Sequence, residues 1–275
     1  MIKIKDSHTH SNHSFDGCNT PEEMVQGAVA AGADYIALTD HHDLYLPYIP
    51  SQVAQGRGGN FGKTDFVKHF GAILPLKEKY AGKIEIAAGA EFGYIKEAEA
   101  DYLALMRYPF DVIINSVHSA GYEDLYEDAY YNGKSKRHTY ELYLKEVLAS
   151  LYVPYNFQIV GHLGYAERNA KYSDRRMTHS DFPDLLDMIL KKMAQDGRAL
   201  ELNSHTKSDE YLYGPDLSIL KRFKDLGGEF VTFGSDSHTD ENVGFRWNAV
   251  REAVAGAGFL YITSFMCQKP RLHKF

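Results

Sequence analysis

Residues 6–16 read DSHTHSNHSFD and directly follow a short apolar alternation, Ile2–Lys5, that predicts a β-strand. His8 and His10 lie two positions apart, so their side chains point to the same face if the strand continues through them. Two imidazoles on one face can bind a single divalent metal ion, and Asp16 offers an oxygen ligand nearby. A lone His-x-His pair is weak evidence, because many such pairs are simply exposed to solvent. Its weight depends on what the other strands carry.

The rest of the chain alternates between short apolar, β-branched runs and helical patterns. This alternation predicts an α/β fold with a parallel sheet, either open or closed into a barrel. No composition shift marks a domain boundary, so we expect one domain over residues 1–275. The predicted strands are Ile2–Lys5, Tyr35–Thr39, Ile84–Ala88, Val112–Asn115, Gln158–Val160, Ala199–Asn203 and Phe230–Phe233, and the pattern allows an eighth at Leu260–Ser264.

The predicted helices lie between these strands. The first has the clearest signals, with Thr20 as its cap, Pro21 at the first helical position and Gly32 after its end. The others are Asp65–Tyr80, His138–Leu151, Ser180–Asp196, Pro215–Leu226 and Glu241–Ala255.

Composition limits the class of protein. The net charge of −7 argues against a surface that coats nucleic acid. The two cysteines, Cys18 and Cys267, lie far apart and form no disulfide framework, which is typical of a reducing compartment. The chain shows neither a signal-peptide pattern nor an apolar run of membrane-spanning length. We therefore expect a cytoplasmic protein with no membrane partner.

Residues of metal-binding type follow every one of the seven main predicted strands. Because the carboxyl ends of parallel strands meet on one face, these side chains are expected to converge where active sites form. Each also has an ordinary explanation, such as a helix cap or a turn, but the joint pattern predicts a multinuclear metal site. In strand order the residues are His8, His10 and Asp16; Asp40–Asp43; Glu91; His118; His162; Glu201–His205; and Asp236–His238.

This ligand set also indicates a chemistry. Imidazole and carboxylate suit zinc, manganese or iron, and the residue types do not choose among these metals. The candidates are too numerous for one ion and suffice for two or three divalent ions. Two metal ions about 3.5–4 Å apart can keep a hydroxide nucleophilic near neutral pH and stabilise a phosphoryl transition state. Hydrolysis of a phosphate ester is therefore expected, with amide or ester hydrolysis as the alternative.

Other segments carry weaker signals. His69, His138, His179 and His273 are expected to be surface or packing residues, and His13 is ambiguous. The glycine-rich loop Gln55–Lys63 lacks the Lys-Ser/Thr ending of a P-loop, so we assign it no phosphate role. The segment Gly121–Lys136 is a second long loop, which could cover a site.

The order His-x-His, Thr-Asp-His, Gly-x-Glu, Ser-x-His, Gly-His and Gly-Ser-Asp-x-His resembles the polymerase-and-histidinol-phosphatase (PHP) superfamily. The resemblance covers essentially the whole chain and implies a distorted (β/α)7 barrel with a trinuclear metal centre at the strand ends. Within the superfamily the chain resembles the histidinol-phosphate phosphatase branch. That closer resemblance rests on Asn115–Ser119, Ile159–Tyr165, Asp181–Asp187, Leu200–Asn203 and Ile219–His238.

The resemblance also implies roles for individual residues. His42 would contact the phosphate or help to protonate the leaving oxygen, and Arg168 would hold the phosphate. His205 would lie where the substrate is recognised, in a Ser-His-Thr turn that departs from the Thr-Ser-Gly-like turn of the branch. The implied metal ligands are His8, His10, Glu91 and Asp236 for one ion; Glu91, His118 and His162 for a second; and Asp16, His41 and His238 for a third.

The expected activity is that of a metal-dependent phosphomonoesterase acting on L-histidinol phosphate, in histidine biosynthesis. One alternative is a PHP phosphoesterase for another small phosphate ester, a nucleotide or an oligonucleotide end, although the acidic net charge argues against long nucleic acid as a partner. Another alternative is a non-catalytic metal-binding module, against which the full set of ligands argues.

Overall fold

The computed structural model describes residues 2–57, 59–207 and 211–275. Gly58 of the predicted Gln55–Lys63 loop lies outside the described residues. The strands are β1 (Ile4–Thr9), β2 (Ala33–Leu38), β3 (His41–His42), β4 (Glu85–Gly93), β5 (Val112–Ser116), β6 (Ser119–Ala120), β7 (Glu123–Asp124), β8 (Ile159–Val160), β9 (Ala199–Asn203), β10 (Val231–Gly234), β11 (Tyr261–Met266) and β12 (Lys269–Lys274).

The α-helices pack between and around these strands. Short 3-10 turns at Leu46–Tyr48, Lys96–Ala98, Asp128–Tyr130, His179–Asp181 and Asp240–Asn242 complete the connections. The helices are α1 (Pro21–Ala30), α2 (Pro50–Ala54), α3 (Phe66–Lys79), α4 (Glu99–Leu105), α5 (Lys136–Ser150), α6 (Tyr165–Asn169), α7 (Pro183–Gln195), α8 (Leu217–Asp225) and α9 (Trp247–Gly256).

A closed barrel of parallel strands organises the fold. β1 pairs with β2, β2 with β4, and the ladder continues through β5, β8, β9 and β10 before β10 returns to β1. The seven strands confirm the predicted (β/α)7 barrel. The two-residue strand β3 adds to the end of β4 and places His41 directly beside Glu91. All carboxyl ends therefore point to the same mouth of the barrel.

The side chains of the barrel strands alternate between two cores. On β2, Ile36 and Leu38 belong to a large core shared with the helices, whereas Tyr35 and Ala37 belong to a smaller core. Phe265 also packs in this smaller core, and its carbonyl accepts a 2.7 Å hydrogen bond from the Tyr35 hydroxyl. Both cores are formed by the period-two alternation that the sequence pattern predicts.

The late strand at Leu260–Ser264 does not join the barrel. Residues Tyr261–Met266 instead form an antiparallel hairpin with β12, a strand that the sequence reading missed. Phe265 contributes to the small core from this hairpin. The hairpin is also held by the carboxylate of Asp111, which accepts a hydrogen bond from the backbone N–H of Cys267.

The first helix begins as predicted, since Thr20 and Glu23 form a capping box and Pro21 occupies the first turn. The last helix differs from the prediction because it begins at Trp247 rather than at Glu241. Before this last helix the chain forms a 3-10 turn at Asp240–Asn242, and Arg246 then has a left-handed backbone with φ of 60°. The sequence reading also missed the short helices α2, α4 and α6. None of the described helices has the length and apolar character needed to cross a membrane.

Candidate metal centre

The carboxylate of Glu91 lies at the centre of a group of histidines at the mouth of the barrel. Glu91 is fully buried on β4, and its neighbours come from four other strand ends. Five imidazoles approach its oxygens: the Nε2 atoms of His8 at 3.3 Å, His10 at 3.7 Å, His118 at 3.3 Å and His162 at 2.8 Å, and Nδ1 of His41 at 2.8 Å.

Asp236 lies on the other side of the two β1 histidines. Its Oδ1 is 3.6 Å from Nε2 of His8 and 3.2 Å from Nε2 of His10. The residue has a left-handed backbone with φ of 53°, a conformation that is uncommon outside glycine and that Asp and Asn adopt more readily than other residues. The structure thus brings together His8, His10, Glu91 and Asp236, which the sequence assigned to one metal ion.

A second group surrounds Asp16 in the loop after β1. Its Oδ2 lies 3.2 Å from Nε2 of His238 and 3.7 Å from Nε2 of His41. The rings of His41 and His238 both stack on the ring of His10, with centroid separations of 4.2 Å and 4.3 Å. The three residues predicted for a third ion are therefore adjacent to the first group.

Many polar atoms in these groups have no hydrogen-bond partner. They include Nε2 of His8, His10 and His238, Nδ1 of His41, and Oε2 of Glu91, all of which are buried. Leaving so many lone pairs and N–H groups unsatisfied in the interior is costly. Their convergence fits divalent metal ions, which would accept the lone pairs of neutral imidazoles and carboxylates at the same points.

Charge interactions within the centre set the charge states of Glu91 and His10. Burial alone would raise the pKa of Glu91, but the histidines, His8 foremost, hold it well below its ordinary value, so the carboxylate is ionised. Burial, with His41 and His238 beside it, lowers the pKa of His10 to about 3. His10 is therefore neutral and can act as a ligand at physiological pH.

Glu201 is a site residue that the sequence reading noted at a strand end but did not assign. Its Oε1 accepts a 2.6 Å hydrogen bond from Nδ1 of His8, and its Oε2 accepts one of 2.6 Å from the backbone N–H of His162. This contact leaves Nε2 of His8 free to face Glu91 and Asp236. A carboxylate behind a metal-type histidine fixes its tautomer and ring orientation. The following strand packs tightly here, since a Cβ on Gly234 would lie 2.1 Å from Oε1 of Glu201.

Two further carboxylates support the histidines. Asp43 is buried, with Oδ2 3.5 Å from Nδ1 of His41 and Oδ1 3.4 Å from Nδ1 of His118. Asp40 accepts a 2.9 Å hydrogen bond from the hydroxyl of Ser14, whose oxygen lies 3.3 Å from Nδ1 of His10.

His69, expected to be a surface or packing residue, is fully buried with its Nδ1 3.0 Å from Oδ2 of Asp40. His69 lies on helix α3, far along the chain from Asp40, and no local sequence pattern indicates their contact.

Arg168 lies at the edge of the centre. Its Nη1 donates to Oδ2 of Asp236 and its Nη2 donates to Oδ1 of Asn203, both at 3.0 Å. His205 donates from Nδ1 to the backbone carbonyl of Asp236 at 3.0 Å, and its side chain is 43% exposed. His205, Asp236 and His238 also form a group that could itself hold a metal ion.

The structure does not place His42 in the centre. Its ring packs against Phe66, Phe92 and Tyr102, and its Nδ1 accepts a 3.1 Å hydrogen bond from the backbone N–H of Thr64. Burial lowers the pKa of His42 to about 4. Consecutive residues of a strand point to opposite faces, so His41 faces the metal-type side chains and His42 faces the core. This position corrects the expectation that His42 contacts the phosphate or the leaving oxygen.

These groups open on one cleft of about 540 Å³. Its walls include Asp16, His41, His118, His162, Asp236 and His238 of the predicted ligands, together with Arg168 and His205. The segment Gly121–Lys136, expected to cover a site, contributes Asp124 and Tyr126 to the wall. The loop Gln55–Lys63 contributes Arg57 and Phe61. Fully buried His8, His10 and Glu91 lie behind these walls.

A family model described as the PHP domain matches residues 6–205, a span that contains seven of the nine predicted metal ligands, from His8 to His162. The chain belongs to the PHP domain family. Curated relatives of this PHP domain protein include a histidinol-phosphatase of Lactococcus lactis, 30% identical over 98% of this chain and 96% of the relative. A probable histidinol-phosphatase of Clostridium acetobutylicum is 28% identical over 91% of this chain and 92% of the relative.

A solved structure gives the same fold. This PHP domain protein superposes with a TM-score of 0.87 on the histidinol phosphate phosphatase of Lactococcus lactis in complex with zinc, L-histidinol and phosphate. The two are 28% identical in sequence, and the match covers 98% of this chain and 100% of the other.

Proposed function

We propose that this PHP domain protein hydrolyses L-histidinol phosphate to L-histidinol and phosphate, as one metallophosphoesterase domain over residues 1–275 that serves histidine biosynthesis. The observation that carries the proposal is the cleft, in which metal-type side chains and the guanidinium of Arg168 face the same volume. The Lactococcus lactis histidinol-phosphatase, similar over nearly the full length of both chains, supports the choice of substrate.

Two or three divalent ions, zinc, manganese or iron, are proposed as cofactors. Three ligand sets are proposed: His8, His10, Glu91 and Asp236; Glu91, His118 and His162; and Asp16, His41 and His238. The cluster of His8, His10 and Asp236, whose ligand atoms lie within 4.8 Å of one another, supports the first set. The unpaired buried atoms of His162 and His238 support the other two. When bound, metal ions of this kind supply a nucleophile active at neutral pH and offset charge on the phosphoryl group.

Arg168 is proposed to bind the phosphate of the substrate. Its planar guanidinium makes paired, charge-assisted hydrogen bonds that suit phosphate oxygens. The Arg168 guanidinium donates to Asp236 and to Asn203 at 3.0 Å each, so these two residues position it before the substrate binds. A fixed cation beside the phosphoryl group stabilises developing negative charge without reorganisation during the reaction.

His205 is proposed to contact the substrate from beside Arg168, since both residues donate to Oδ1 of Asn203. Its backbone N–H donates to Asn203 and its Nδ1 donates to the Asp236 carbonyl, so Nε2 remains available. Burial lowers the pKa of His205, which keeps the ring neutral at physiological pH. A neutral ring can accept a hydrogen bond from a substrate donor through that nitrogen.

The location proposed for this reaction is the cytoplasm. Cys18 and Cys267 are both exposed and unpaired, which suits a compartment that keeps thiols reduced.

A substrate panel tests the proposal. Purified protein loaded with zinc or manganese is assayed for phosphate release from L-histidinol phosphate, sugar phosphates, amino-acid phosphates and nucleotides. The expected result is a kcat/KM for L-histidinol phosphate at least about 100-fold above the other monoesters. Preference for a nucleotide or an oligonucleotide end would move the protein to another phosphoesterase activity.

A further inference from the structure

The cleft is lined by four carboxylates, and one of them differs from the rest. Asp16 and Asp43 lie near His41, and Asp236 lies near His10 and Arg168. Asp124 lines the same cleft but forms no ion pair within 4 Å with any residue that the structure describes. A cleft-facing carboxylate without a cationic partner is free to pair with a cation from outside the protein.

Neutral donors hold Asp124 in position. Its Oδ2 accepts a 2.8 Å hydrogen bond from Nε2 of Gln52, and its Oδ1 accepts one of 2.8 Å from the backbone N–H of Tyr126. The side chain is fixed at the end of the hairpin β6–β7 and the residue is only 4% exposed. These bonds orient the carboxylate but do not offset its charge.

Binding a cation beside the Asp124 carboxylate is energetically favourable. Burial raises the pKa of Asp124 to about 6, because removing the carboxylate from water disfavours its charged form. A buried ion without a counter-charge is costly, and a well-placed opposite charge recovers part of that cost. An ammonium group supplies both a positive charge and several hydrogen-bond donors.

Opposite charges are arranged along the same cleft. Arg168 and Lys207 line it together with the candidate ligand sets, so anionic groups are favoured there. Arg57 also lines the cleft, but its Nη1 donates to Oε1 of Gln52 at 3.2 Å and it forms no ion pair within 4 Å with Asp124 among the described residues, so Asp124 still favours a cation. An ester with a phosphate at one end and a primary ammonium near it matches both. L-histidinol phosphate carries both groups, whereas simple sugar phosphates carry only the phosphate.

We propose that Asp124 is the subsite for the ammonium group of the substrate and selects amine-bearing phosphate esters. This inference rests on the proposed function and names the residue that reads the amine. A site built to pair with a substrate N–H group strongly rejects the analogue that lacks it, because the buried partner is then left unpaired.

Direct binding tests the subsite without requiring turnover. The Kd of L-histidinol and of its desamino analogue, 3-(imidazol-4-yl)propan-1-ol, is measured by calorimetry on the metal-loaded protein and on Asp124→Asn. The intact protein is expected to bind L-histidinol at least about tenfold tighter than the analogue, and Asp124→Asn is expected to lose most of that preference. The same preference in both proteins would overturn the proposal.

Glu127→Gln is the matched control. The Glu127 carboxylate also accepts from Nε2 of Gln52, at 3.1 Å, but Glu127 does not line the cleft. This variant is expected to keep the preference for L-histidinol, so a loss there would mean that disturbing Gln52, rather than removing the Asp124 charge, is responsible.

Turnover separates the two proposals. Phosphate release from L-histidinol phosphate and from its desamino analogue is compared in the same proteins. If the intact protein binds L-histidinol selectively but releases no phosphate, the proposed function fails and the subsite stands. If it hydrolyses both esters equally well, the phosphatase activity stands and the subsite is wrong.

Discussion

Oε1 of Glu201 lies 2.6 Å from Nδ1 of His8, and both side chains are fully buried. This contact turns Nε2 of His8 toward Glu91 and Asp236, at 3.3 Å and 3.6 Å. Glu201 therefore positions a candidate ligand from behind and raises its basicity.

Replacing Glu201 with glutamine is expected to weaken metal binding about 10- to 100-fold. The amide keeps the shape of the side chain but removes the charge, and it no longer offers two acceptor oxygens to His8 and the His162 N–H. Competition with a chromophoric chelator measures the affinity directly. Glu85→Gln is the control, since Glu85 lies at the start of the same strand as Glu91 and pairs with Arg271. Equal affinities for Glu201→Gln and the unchanged protein would contradict the positioning role.

Arg168→Ala is expected to lower kcat/KM for L-histidinol phosphate by about 10²- to 10³-fold, because the phosphate loses a prepositioned cation. Steady-state kinetics give this value, and elemental analysis shows whether the metal content survives the loss of the contact with Asp236. Arg175→Ala, which removes an arginine from the smaller neighbouring cavity, serves as the control. A loss of less than about tenfold with full metal content would contradict the assignment.

The stability of the protein is expected to depend on pH through Glu167. Burial raises the pKa of this carboxyl from 4.5 to about 7, although Arg176 lies 3.4 Å away. The folded state therefore binds the proton more tightly than the unfolded state. The resulting stabilisation is complete below about pH 4.5 and is lost as the pH rises through about 7, a change of about 3 kcal/mol.

Glu167→Gln removes this dependence, since the amide does not titrate. Relative to the unchanged protein, the variant is expected to gain in free energy of unfolding between pH 5 and pH 8, as measured by urea denaturation of metal-free protein. Glu141→Gln, on the exposed face of α5, controls for the loss of one charge. A gap between variant and parent that is the same at both pH values would show that Glu167 does not carry the effect.

The sequence predicted the ligand groups because of topology. Parallel strands deliver their carboxyl ends to one mouth, so His8, Glu91 and Asp236 meet although they lie far apart in the chain. The assignment of His41 as a ligand came from the family resemblance. The strand β3, which turns His42 toward the core, has only two residues and was too short to recognise in the sequence. Contacts such as His69 with Asp40 depend on helix packing, which no local pattern encodes.

The peripheral structure was also harder to predict for physical reasons. Trp247 begins α9 only after the turn at Asp240–Asn242, whereas the acidic residues before it favour an earlier start. The strand β12 is mostly exposed and therefore lacks an apolar alternation. Asp124 takes its place in the cleft through the hairpin β6–β7, whose strands are two residues each.

The most direct test of a metal-dependent phosphomonoesterase is a titration of metal-free protein with zinc or manganese, following phosphate release from L-histidinol phosphate against metal bound per chain. We expect no turnover without metal and full activity once two or three ions are bound. Full activity with one ion or none, or a fully loaded protein that releases no phosphate from this substrate, would contradict this expectation.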